Sequence, residues 1–80
     1  MAKVEDIDKP GGWMVRVITP GTPPIERYFQ VYEIDRARAV EFATAKIPVR
    51  IGETCEALRP LNTHALMGEN MRPGDVKQHV

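Results

Sequence analysis

The sequence is poor in reactive groups. It has one cysteine, Cys55, two histidines, His64 and His79, and no net charge, since eleven Lys and Arg balance eleven Asp and Glu. A lone thiol excludes an intrachain disulfide and suits a reducing compartment, so a cytoplasmic location is expected. No spacing among Cys55, His64 and His79 matches a structural zinc site, which takes four Cys or His ligands. The glycines lack the lysine spacing of a phosphate loop. No metal or cofactor is therefore expected. The basic residues are scattered from Lys3 to Lys77, with no three adjacent. That removes the stripe of positive charge on which duplex DNA binding rests. No apolar run approaches the ~18 residues of a membrane span. The first six residues carry no apolar stretch and do not read as a signal peptide. Repeats and low-complexity segments are also missing.

What is present belongs to a folded domain. Hydrophobic residues make up 42% of the chain and charged ones 28%, the balance of a globular protein and not of a disordered one. Eighty residues suffice for one domain with a small core, so self-association is a natural way to gain stability.

The chain is organised around residues 13–47. Trp13 to Thr19 is β-branched and aromatic, which suits a strand. Its alternation puts Trp13, Val15 and Val17 on one face and Met14, Arg16 and Ile18 on the other. A second strand is expected from Glu26 to Glu33, with Phe29 and Val31 on one face and Tyr28, Gln30 and Tyr32 on the other. Pro20-Gly21 between them fits the centre of a type II turn. Pro23 and Pro24 cannot donate to a ladder and belong to the loop. Pro20-Gly21-Thr22-Pro23 also matches P-x-x-P, a ligand pattern for aromatic grooves, but hairpin-loop chemistry accounts for it more simply.

Asp35 is placed to cap a helix that runs without Gly or Pro through Lys46 and ends before Pro48. At 100° per residue Ala39, Ala43 and Ile47 form its apolar stripe, flanked by Val40 and Phe42, while Arg38, Glu41 and Ala45 face water. A third strand is expected within 53–59, closed by Pro60. A short helix follows over 63–67, capped by Asn62 or Thr63 and ended by Gly68 in the left-handed conformation. The expected fold is α+β in the order ββαβα, with a small antiparallel sheet and the principal helix on one face. Residues 1–12 read as a flexible tail, 13–72 as the domain and 73–80 as a loose end.

Three functions are open to such a chain. The first is a non-enzymatic protein-binding module, alone or as a homodimer, that uses the hairpin face turned away from the helix. Its candidate residues are Met14, Arg16, Ile18, Tyr28 and Tyr32, a mixture of apolar, aromatic and arginine side chains enriched at interfaces. The second is single-stranded RNA binding, with Tyr28 and Tyr32 as stacking platforms beside Arg16; zero net charge weighs against it. The third is a small enzyme or enzyme subunit that uses Cys55 or His64, the two acting as nucleophile and base if the fold brings them together. A lone cysteine is more often a small buried hydrophobe. The alternating pattern leaves one matter undecided: the C-terminal third can fold over the second sheet face and close it.

Overall fold

In the computed structural model, which describes residues 9–79, Val15 and Val17 lie with no exposed surface at the centre of a sheet. Six elements build the domain: β1 (Pro10–Thr19), β2 (Ile25–Val31), α1 (Arg36–Lys46), β3 (Thr54–Asn62), α2 (Thr63–Gly68) and β4 (Val76–His79). The four strands form one antiparallel sheet in the order β3-β1-β2-β4. The fold is thus α+β with a small antiparallel sheet, and the element order is ββαβαβ, a closing strand beyond the ββαβα expected.

The hairpin register sets Val15 opposite Phe29 and Trp13 opposite Val31, while Met14 faces Gln30 and Arg16 faces Tyr28. Both apolar sets therefore share one side of the sheet, and α1 packs on that side. Ala39 and Ala43 are fully buried and Ile47 nearly so, joined with Val15, Val17, Phe29 and Val31 in one core. Alanine at the contact lets the helix backbone come close to the strands. Asp35 caps the helix by accepting from the Arg38 N–H at 3.0 Å. Ile47, extended before Pro48, ends it. Trp13 closes one end of this layer. Its indole N–H donates to the Ile34 carbonyl at 2.8 Å, and the Arg36 guanidinium lies 5.7 Å from the ring centre.

Several expectations require correction. The expected N-terminal tail spans residues 1–12. Residues 1–8 of it lie outside the described residues, and Pro10, Gly11 and Gly12 belong to β1. Gly12 is needed there, because a Cβ would collide with the Val31 carbonyl and Leu66 Cδ1. The loose C-terminal end is β4, whose Val76 pairs with Val31 and packs on the core. β2 stops at Val31, so Tyr32 stands outside the ladder. Pro60 does not end β3, which continues to Asn62. The strand tolerates proline because β3 is an edge, where a ladder donor can be missing. Gly21 does not have the positive φ that a type II turn demands; the loop instead contains a cis Thr22–Pro23 peptide. Gly68 is likewise not left-handed. Asn70, at φ 59°, takes that role. Its N–H donates to the Met67 carbonyl, and the Met71 N–H donates to the Leu66 carbonyl. This is the paired bonding of a Schellman motif, which brings Leu66 and Met71 together. Both are buried.

Candidate functional site

The second sheet face decides what the protein presents. α2, capped by the Asn62 side chain accepting from Ala65 N–H at 2.7 Å, closes one end of it. Leu66 is fully buried against Gly12, and Met71, Met14 and Gln30 are buried with it. Met67, its neighbour, is 61% exposed. The C-terminal third therefore covers part of this face and leaves the rest open.

The register orders the open part into rows across the sheet. Arg59, Met14, Gln30 and Lys77 align in one row, and Glu56, Arg16, Tyr28 and His79 in the next. Ile18 lies beyond them between Thr54 and Glu26. Arg16 is clamped. One of its terminal nitrogens donates to Glu26 at 3.3 Å and the other to Glu56. The Tyr28 hydroxyl donates to the second oxygen of Glu26 at 3.0 Å. The hydrogen bond to Glu56 dominates the environment that holds the Arg16 guanidinium above its ordinary pKa. Its Nε is buried without a hydrogen-bond partner among the described residues.

A β-bulge sets the character of the neighbouring row. Met14 pairs with Arg59 and Val15 with Ala57, so Leu58 is an extra residue on β3. Such a bulge resets the alternation and turns two successive side chains to one side. Leu58 and Arg59 thus project together over the second face. With Tyr28 and His79 they line a cavity of about 240 Å³ floored by Met14.

Of the residues expected to form a partner surface, Arg16, Ile18 and Tyr28 come together on the open face. Met14 lies beneath them at 3% exposure. Tyr32 is elsewhere. Its backbone bonds to Gly74 and Asp75, and it borders a separate notch with Gly11, Ile34 and Pro73. The two tyrosines therefore do not form one stacking platform, and the Tyr28 hydroxyl is tied to Glu26. Leu58, Arg59, Lys77 and His79 were missed. Lys77 and His79 lie on a strand of four residues too short to be read from sequence, and the bulge at Leu58 left no sequence mark.

The Cys55 and His64 pair does not assemble. Cys55 faces the core beneath α1, where burial and then Glu56 raise its thiol pKa. His64 sits on α2, beyond the far end of β3. The seven residue steps from Cys55 to Asn62 alone span roughly 23 Å of strand. Among the described residues no group of three or more His, Cys, Asp and Glu could hold a metal ion, and no helix is long and apolar enough to cross a membrane.

At the opposite end of the sheet Glu53 organises a second polar cluster. Its side chain is 5% exposed. It accepts from the Thr19 hydroxyl, from the Arg50 N–H at 2.7 Å and from Arg27 at 3.1 Å. These contacts, the Thr19 bond first, hold its carboxyl below the ordinary carboxylate pKa. The cluster ties the turn before β3 to the hairpin and has its donors already matched, which makes it structural. Comparison with known proteins finds no matching family, no similar curated protein and no similar solved structure.

Proposed function

We propose that the protein is a non-enzymatic binding module that takes a protein segment on the open part of its second sheet face. The observation that carries this reading is the unequal covering of the sheet. α1 closes one face over the core, while α2 closes only the Gly12 and Met14 end of the other. Arg16, Ile18, Tyr28 and Leu58 are left accessible on β1, β2 and β3. Their chemistry suits a surface that is wet when free and buried when bound, since Tyr and Arg each join an apolar body to a polar end.

The size of the patch favours a segment over a second copy of the chain. Strands spaced about 4.8 Å apart and the ~14 Å of strand from Met14 to Ile18 give a footprint of roughly 200 Å². A stable two-fold interface draws about 800 Å² from each partner. The patch can contribute to a dimer but is too small to make one by itself. The scattered charge and the separation of Tyr28 from Tyr32 weigh against RNA.

Selection from a random displayed peptide library against the folded protein tests the reading. Clones should be enriched whose binding is lost with Tyr28→Ser and with Leu58→Ser, while both variants keep the wild-type far-UV spectrum and cooperative melt. If no enriched clone depends on either residue, the face is not a binding surface.

A further inference from the structure

Resting on that reading, we infer that the segment recognised is acidic: it carries a carboxylate side chain beside a large apolar one. Two observations specify this chemistry. The first is the bulge in β3, which sets an apolar side chain, Leu58, and a cationic one, Arg59, next to each other on the same side of the sheet. The second is the distribution of charge among the arginines. Arg16 is held by Glu26 and Glu56, Arg27 by Glu53, and Arg38 approaches Glu33. Arg36 is stacked on Trp13. Arg59, Arg50 and Arg72 make no ion pair or side-chain hydrogen bond among the described residues, and of these three exposed arginines Arg59 alone lines the cavity.

The cavity divides the work. Met14 supplies a deformable apolar floor and Tyr28 a flat wall, which together accept an aliphatic or aromatic side chain. The planar guanidinium of Arg59 suits a carboxylate bidentately, and His79 on the opposite strand offers a further polar contact. The face grows less cationic away from this row, because Glu26 and Glu56 already saturate Arg16. A basic segment meets Arg59 at the rim with like charge, and a neutral one leaves the guanidinium unmatched.

The test uses the same displayed library, followed by titration of synthetic peptides into the full chain, read by calorimetry and by NMR shifts. The selected peptides should carry Asp or Glu within a residue or two of Leu, Phe or Trp. Replacing that carboxylate with its amide should weaken binding by about tenfold, the scale of one lost charge-assisted bond. Arg59→Glu should weaken it at least as much and shift selection towards Lys and Arg. Arg59 is exposed on an edge strand, so this variant should fold; Arg59→Gln, with no charge reversal, provides a second check. Selected peptides that bind through Tyr28 but are neutral or basic would overturn the acidic assignment and leave the binding module standing. Peptides indifferent to both Tyr28 and Arg59, or an RNA oligonucleotide that perturbs the site in their place, would overturn both.

Discussion

Leu66 and Met67 are adjacent and of similar size, yet the structure gives them opposite weight. Leu66 is fully buried at the end of the second face, whereas Met67 is 61% exposed. Leu66→Ala removes buried methyl groups and leaves a cavity between α2 and Gly12, which typically costs about 2–5 kcal/mol. A chain of 80 residues has a total stability of only about 4–12 kcal/mol. A mid-range loss of about 3 kcal/mol should lower Tm by roughly 12–24 °C in a domain of this size. Met67→Ala, at a surface position, should change stability by less than about 0.5 kcal/mol. Urea denaturation followed by circular dichroism reads both variants, and the slope should stay constant so that the midpoint alone reports the change. Equal midpoints for the two variants would show that α2 does not close the sheet, and the division of the second face into covered and open parts would fail with it.

Other outcomes test separate parts of the structure. Ala43→Glu places a charge in the fully buried contact of α1 with the sheet and should abolish or severely weaken cooperative unfolding, while Arg38→Glu on the outer side should stay near wild type; a thermal melt distinguishes them. Gly12→Ala should destabilise the domain strongly because its new Cβ meets the Val31 carbonyl, a loss that denaturant titration would register. Asp35→Ala should cost about 1 kcal/mol through the lost cap of α1, measured in the same way. Glu53 has a carboxyl pKa lowered by folding, so the stability it contributes is fully present above the ordinary carboxylate range and is lost as pH falls through the lower folded value. Glu53→Gln should therefore flatten the acid side of a stability–pH profile, and an unchanged acid limb would refute this account.

The parts of the fold that were legible in the sequence are those fixed by local chemistry. Asp35, the alanines and Pro48 mark α1 with its cap, its face and its stop. The alternation of Trp13 to Ile18 and of Tyr28 to Val31 gives the two faces of the hairpin. Contacts distant in sequence decided the rest. Val76 to His79 is too short to declare itself a strand and becomes one because β2 has a free edge. Pro60 looked like a terminator because nothing local reveals that β3 lies at the outside of the sheet. Gly68 looked like the left-handed residue, yet Asn70 takes that conformation two positions later. For the candidate site, Arg16, Ile18 and Tyr28 were readable from alternation. Leu58 and Arg59 were not, since a bulge is a property of the pairing between two strands. Tyr32 was misplaced with Tyr28 because the end of β2 is set by its bonds to Gly74 and Asp75.

The central position of β1 also constrains the order in which the molecule can assemble. β1 and β2 are joined by a short loop and can pair early, but each must then wait for a partner from beyond α1: β3 for one and β4 for the other. Closing those long loops is entropically costly before their contacts form, which slows folding. Of the six elements β4 leaves the ribosome last, and Leu66, Met71 and Val76 emerge shortly before or with it. Until then the nascent hairpin has two unpaired edges and an uncovered apolar end at Gly12 and Met14. The vulnerable period of this protein is therefore its synthesis, when a chain stalled after α1 presents the surfaces that the finished fold conceals.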